Sequence, residues 1–229
     1  MIKIYPYEEL GHADHGWLNA RHHFSFASYY NEKRMNFGVL RVINDDIIKA
    51  HSGFPTHPHA NMEIITYVRK GAITHKDNQG NQGRTEAGDI QVMSAGTGIA
   101  HSEYNLEDED TNLYQIWITP NKMGVPPRWD AKEFPKEPVK HSLSLLVSGD
   151  GKAPLSIYQD VQIYGGKLEK NTLIDHKIPG KAYLLVSQGE IFLDNKILKK
   201  GDGAEITKLN HVKIKSVANS EVLVINLPK

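Results

Sequence analysis

The sequence predicts an all-β protein built as two successive barrels or sandwiches. Three observations carry this. Short apolar, β-branched runs recur along the 229 residues, separated by Gly, Asn and Asp in turn-forming clusters. Five of the eleven prolines (Pro120, Pro126, Pro127, Pro135 and Pro138) crowd into one stretch, which suits an extended crossing and not the interior of a strand or helix. The segments on either side of that crossing echo one another. VRKGAI at 68–73 parallels VSQGEI at 186–191, and Gly88-Asp89 parallels Gly201-Asp202.

The elements follow in order. Residues 11–31 mix His12, His15, His22 and His23 with Trp17, Phe24, Phe26, Tyr29 and Tyr30. Aromatic clusters of this kind usually pack, so His12, His15 and His23 read as packing residues and His22 as pocket-lining or supportive. Strands are expected at 37–43 and 47–51, with Asn44-Asp45-Asp46 as turn chemistry between them. Further strands are expected at 62–69, 71–75, 90–93 and 113–119, with turns at 77–81 and Gly88-Asp89, and with His75 as a hairpin residue. The acidic run Glu107-Asp108-Glu109-Asp110 reads as a solvated loop. Beyond the crossing, strands resume at 142–147, 155–159, 162–168, 182–187, 190–193, 212–217 and 221–227. The expected organisation is an N-terminal unit over 1–125, a connection over 126–138 and a C-terminal unit over 139–229.

Composition excludes several classes. Lys plus Arg and Asp plus Glu number 27 each, so no basic stripe marks a nucleic-acid or membrane-surface binder. The absence of cysteine removes disulfides, thiolate metal sites and a cysteine nucleophile. The first residues carry no signal-peptide apolar run and no segment reaches transmembrane length, so a cytoplasmic protein is expected.

The chemistry concentrates in the first half, where nine of the twelve histidines lie at or before His101. His57 and His59 are two apart, so on an extended chain both imidazoles leave one face. Pro58 between them suits a strand edge or bulge, where a ligand can approach. His101 and Glu103 repeat the spacing. Taken singly, each pair is as well explained by solvated or core histidines. Together, each led in by a glycine-rich turn, they point to one metal held by three nitrogens and one oxygen. That set suits Fe, Mn, Co, Ni, Cu or Zn and leaves coordination positions open. Glu63 is a second carboxylate within reach by alternation. Sliding the repeat landmarks sets Asp175 and Lys177 at the places of His57 and His59, and Ile214 and Ser216 at those of His101 and Glu103. The second unit therefore reads as one without metal ligands.

Gly53-Phe54-Pro55-Thr56-His57-Pro58-His59, with Glu63 and Gly71 beyond, resembles the first cupin motif. Gly88-Asp89, Gly96, His101 and Asn105 resemble the second. MSAGTGIAHSEYN at 93–105, GHADHGWLNARHHFSFASYY at 11–30 and LYQIWITP at 113–120 are similar to the pirin family within the cupins. The resemblance spans nearly the whole chain and lies closest to bacterial pirin-like quercetin 2,3-dioxygenases. It implies a bicupin of two double-stranded β-helices, the second without ligands. It also implies one divalent transition metal, iron or one of the others above, on His57, His59, His101 and Glu103. The implied activity is cleavage of a flavonol such as quercetin by O2 with release of carbon monoxide, Glu103 serving as ligand and base. The family pattern favours Glu103 over Glu63. The alternative it leaves open is a non-catalytic, metal-dependent regulator that acts through a protein partner.

Overall fold

A computed structural model describes residues 1–229. The chain forms two compact units. One comprises Gly11–Pro135 and Leu155–Gln159; the other comprises Met1–Leu10, Lys136–Pro154 and Asp160–Lys229. After β1 (Ile2–Tyr5), which belongs to the second unit, the first unit runs β2 (Gly11–Asp14), β3 (Leu18–His22), β4 (Leu40–Ile48), β5 (Ser52–His59), β6 (Glu63–Lys70) and β7 (Ala72–Asp77). It continues through β8 (Gln82–Glu86), β9 (Ile90–Ser94), β10 (Ile99–Asn105), β11 (Thr111–Ile118) and β12 (Arg128–Lys132). A seven-stranded sheet, ordered β12-β9-β6-β11-β4-β3-β2, is paired with a four-stranded sheet, ordered β5-β10-β7-β8. This is the double-stranded β-helix of a cupin.

The first unit's interior is layered. Leu18, Ala20, Ile48, Val68, Ile73 and Leu113 form one apolar cluster; Ile64, Met93, Ala95 and Ile99 form another. A polar row lies between those clusters along the large sheet. Gln91 pairs with Thr66, Thr66 with Gln115, and Gln115 with Asn44 in register across four adjacent strands. Because the side-chain period of a strand is two, these four side chains face the same way.

Asn44-Asp45-Asp46 is not a turn. It lies inside the nine-residue strand β4 and all three residues are buried. Turn-forming side chains lose to tertiary context here, because the barrel offers partners. The His22 ring donates from Nδ1 to Asn44 Oδ1 at 2.8 Å, and Asp45 pairs with Arg69. The proline-rich stretch also differs from the expected unpaired crossing. Arg128–Lys132 pairs antiparallel with β9 as an edge strand, and Pro126, Pro127 and Pro135 flank it without interrupting its ladder.

The second unit is also β. Its strands after β1 are β13 (Ser144–Ser148), β15 (Gln162–Leu168), β16 (Leu173–Lys177), β17 (Lys181–Gln188), β18 (Glu190–Leu193), β19 (Lys196–Lys199), β20 (Gly203–Ile206), β21 (His211–Ser216) and β22 (Ser220–Leu227); the short β14 (Leu155–Ser156) falls in the excursion counted with the first unit. One sheet runs β1-β20-β17-β22-β15-β13 and the other β16-β21-β18-β19. The order of the smaller sheet repeats that of β5-β10-β7-β8, as the internal echo requires. The registration of the echo needs a one-residue correction on β16. Asp175 and Lys177 are exposed, whereas Ile174 and His176 are buried. The interior is filled by aliphatic residues including Ile174, Val212 and Ile214. No helix of the chain is long and apolar enough to cross a membrane.

One glycine sets how closely β5 and β10 approach. A Cβ at Gly53 would stand 2.3 Å from the Glu103 carbonyl oxygen and 2.5 Å from Tyr104 Cα, backbone atoms that no rotamer change can clear. A Gly53→Ala substitution is therefore expected to cost about 1–3 kcal/mol, the usual scale of overpacking. The midpoint of chemical unfolding measures this; an unchanged midpoint would refute the close approach.

Candidate metal centre

β5 is an edge strand, so one side of its ladder is free, while β10 pairs with it on the other. In that pairing His57 stands opposite His101 and His59 opposite Ile99. The register shifts between His101 and Glu103, because Glu103 meets Phe54: two steps on β10 span three on β5. The bulge therefore falls at Pro55-Thr56 and not at Pro58. Proline has no ladder donor to lose there.

The pairing brings three imidazoles together. Ring centroids lie 4.5 Å apart for His57 and His101, 4.8 Å for His57 and His59, and 5.1 Å for His59 and His101. One nitrogen from each falls in a group whose members all lie within 4.8 Å of one another. Local hydrogen bonds orient these rings. His57 Nδ1 is 2.7 Å from the Pro55 carbonyl, which can only accept, so Nδ1 carries the proton and Nε2 presents a lone pair. His101 is oriented through a chain of side chains. Asp77 Oδ2 lies 3.0 Å from His75 Nε2, and His75 Nδ1 lies 3.4 Å from His101 Nδ1. A proton on His75 Nε2 leaves its Nδ1 to accept from His101, which frees His101 Nε2. That nitrogen is buried and has no hydrogen-bond partner. Buried polar atoms are rarely left so, and a nitrogen lone pair facing two others fits a divalent transition ion.

His75 lies on the β7–β8 hairpin, as expected, opposite Gly83, but its side chain also supports the site. It is fully buried and stacks on Trp129 at 4.9 Å with the planes 9° apart. Asp77 is a hub whose oxygens also accept from the backbone of Gln79 and Asn81 and from the Asn81 amide. Burial alone would raise its carboxyl, but the bonds from His75, Asn81 and Gln79 hold it below the usual carboxylate range. The H-x-D spacing at 75 and 77, matching H-x-H and H-x-E, was the signal in the sequence that could have found this pair.

Glu103 lies in the same pocket but outside the three-nitrogen group. Its Oε1 accepts from Gln91 Nε2 at 2.5 Å and Thr66 Oγ1 at 3.1 Å, and its Oε2 from Gln115 Nε2 at 2.6 Å. The polar row of the large sheet thus reaches across the barrel to one carboxylate. Burial raises its pKa, and His75, Gln115 and Thr66 oppose that rise. Glu63 stands apart. A turn separates it from His59, and on β6 it points away from the pocket, where Ser94 Oγ donates to its Oε2 at 2.7 Å.

The cavity against the imidazoles measures about 330 Å³, within the range of small-molecule sites. Phe26, Phe54 and Trp117 form part of its wall. Trp117 meets His59 edge-on at 4.9 Å and Phe26 edge-on at 5.4 Å, and Phe54 meets His57 at 6.4 Å. His22 lines the cavity, as expected of a supportive residue, and so does His15; His23 is buried elsewhere.

The first half of the chain, residues 4–118, matches the family model described as Pirin, and residues 145–227 match the model described as Quercetinase C-terminal cupin domain. The chain is 47% identical over 231 residues to a pirin-like protein of Caulobacter vibrioides, covering 99% of both. It is 41% identical over 232 residues to a quercetin 2,3-dioxygenase of Escherichia coli K12, covering 100% of this chain and 99% of that one. Among solved structures, the bacterial pirin YhhW of Escherichia coli in complex with nickel(II) is similar with a TM-score of 0.93 at 41% identity, covering 100% of this chain and 99% of that chain.

Burial lowers the pKa of His59 to about 4 and of His101 to about 3, with the neighbouring imidazoles adding to the effect. Both are neutral, metal-competent ligands well below pH 6.5. A depressed imidazole pKa contributes stability above the unfolded value near 6.5, and that contribution drains away as pH falls toward the folded value. Chelator-treated protein is therefore expected to lose stability between pH 6.5 and 4, and a His101→Gln variant to show a shallower slope. Urea midpoints across that range measure it. Identical slopes would contradict the buried, neutral imidazole.

Proposed function

The chain belongs to the pirin family of bicupins, and we propose that it is a metal-dependent dioxygenase that opens flavonols such as quercetin. The observation that supports this most is the group of three imidazole nitrogens, one of them buried and unpartnered, at a cavity that Phe26, Phe54 and Trp117 help to line. In this reading His57, His59 and His101 hold one divalent transition ion, with Glu103 as the fourth ligand. A metal bound there supplies Lewis acidity toward a phenolic oxygen and a route for electrons to O2.

The chain's own residues supply the rest. Phe26, Phe54 and Trp117 present flat apolar surface to a planar ring and exclude water. His75 and Asp77 keep the Nε2 lone pair of His101 aimed at the ion, the usual task of a carboxylate behind a ligating imidazole. Glu103 accepts the proton of the flavonol 3-hydroxyl, which turns a neutral enol into an electron-rich enolate. Gln91 and Thr66 donate to Oε1 and Gln115 to Oε2, so the carboxylate stays oriented and Oε2 retains a lone pair. Both atoms of O2 enter the product, and one ring carbon leaves as carbon monoxide.

Glu103→Gln separates holding the ion from moving the proton. An amide keeps the shape but cannot take the proton. The variant is expected to retain metal yet lose turnover by ~10²-fold or more, the scale of a removed general base. Loss of the quercetin absorbance in air, with carbon monoxide trapped, measures it. Normal turnover by Glu103→Gln would remove Glu103 as base. Absence of oxygen consumption by metal-loaded wild type with any flavonol would favour the protein-partner alternative.

A further inference from the structure

Asp46 is the one carboxyl in the cavity that the proposed chemistry does not use. It lines the same cavity as His57, His59, His101 and Glu103. It is 2% exposed, and its Oδ1 is buried with no hydrogen-bond partner. Its polar neighbours bond elsewhere, and none of them donates to Oδ1. Asn44 Oδ1 takes the proton of His22, the Gln115 amide donates to Glu103, and Arg69 pairs with Asp45, which the alternation of β4 places on the opposite face. Directly across the ladders stand Ala20 and Leu113, members of the apolar cluster that floors the barrel. Nothing in that floor can bond an oxygen.

A buried polar group without a partner costs about 1–3 kcal/mol and is rare in folded proteins. Three polar residues in succession inside a strand are costly in the same sense. Two of the three are satisfied by the fold, and the third faces a cavity. We propose that Asp46 is the specificity-determining residue of the pocket, accepting a hydrogen bond from a ligand hydroxyl remote from the one at the imidazole group. A carboxyl oxygen accepts in either protonation state, so the assignment needs no particular one. The ligand is then a planar aromatic with at least two oxygen functions, one for the imidazole group and one for Asp46. A flat ring bearing a single hydroxyl would leave Asp46 unpaired. Sites built to bond a hydroxyl reject analogues that lack it more strongly than apolar sites reject a change of size. This inference rests on the flavonol reading above and adds a recognition residue to it.

The test uses nickel-loaded protein under argon, so that binding is read without turnover, with quercetin and 3-hydroxyflavone as probes. The two share the 3-hydroxyl and differ in the others. Quenching of tryptophan fluorescence reports binding, Trp117 being in the wall. Wild type is expected to prefer quercetin by about tenfold, the scale of one net hydrogen bond. Asp46→Ala is expected to lose that preference by weakening quercetin alone, with nickel content unchanged. Asp46→Asn, which keeps a carbonyl acceptor, is expected to retain most of it. Removing an unsatisfied carboxyl should leave the ligand-free melting temperature equal or higher. Equal weakening of both probes, unchanged selectivity in Asp46→Ala, or a fall of several degrees in its melting temperature would each overturn the assignment while leaving the flavonol reading intact. Wild type that binds neither probe would overturn the flavonol reading and this inference with it.

Discussion

The antiparallel register of Ser52–His59 against Ile99–Asn105 is the constraint on which the rest of the site depends. Side chains alternate with a period of two, so a one-residue slip of β5 against β10 would turn His57 and His59 away from the face that carries His101 and Glu103. Three features pin the register. Gly53 lets the backbones approach where any Cβ would collide. The bulge at Pro55-Thr56 absorbs one residue, so that His101 faces His57 while Glu103 meets Phe54. Pairing of β10 with β7 on its other side sets Asp77 beside His101 and His75 beside Glu103. The strand pair that forms the site is thereby held between an edge and a neighbour that supplies the support for its ligands.

Polar groups are expensive inside a barrel, and around Glu103 and Asp77 the first unit offsets that cost with hydrogen bonds. Gln91, Thr66 and Gln115 converge on Glu103 from three adjacent strands. Asp77 accepts from four donors and passes orientation to His101 through His75. A network satisfied at every member holds its geometry, and a gap in one that lines a cavity is a place where a ligand can bind. The gaps among the cavity's polar groups include His101 Nε2 and Asp46 Oδ1. The second unit has the same strand order in its smaller sheet but fills its interior with aliphatic side chains. A shared framework thus hosts a polar site in one copy and a hydrophobic core in the other.

Much of this was legible in the sequence, and the remainder failed for identifiable reasons. The strands, the two-unit organisation and the imidazole trio follow from local patterns: alternation, turn residues and H-x-H spacing. Glu63 misled because alternation was carried through a turn that redirects the chain. Asp175 and Lys177 misled because a sliding comparison of glycine landmarks ignores a one-residue change in register. Asn44-Asp45-Asp46 misled most informatively. Its turn propensity is genuine, and only the tertiary partners His22 and Arg69 override it. The hairpin position of His75 was legible, but its supporting role was not, because His101 and the stacking surface Trp129 come from distant strands. Sequence reasoning thus failed where local preference conflicts with the fold, and one of those conflicts lies beside the site.

Metal stoichiometry tests the central claim most directly, since everything proposed for the pocket presumes one ion on the imidazole trio. Elemental analysis of protein purified without added metal, followed by back-titration with nickel(II), supplies it. The expected result is saturation at one ion per chain, abolished in the His57→Ala, His101→Ala double variant while its far-UV circular dichroism remains that of a β protein. Saturation at two ions per chain, or full occupancy in the double variant, would contradict the account.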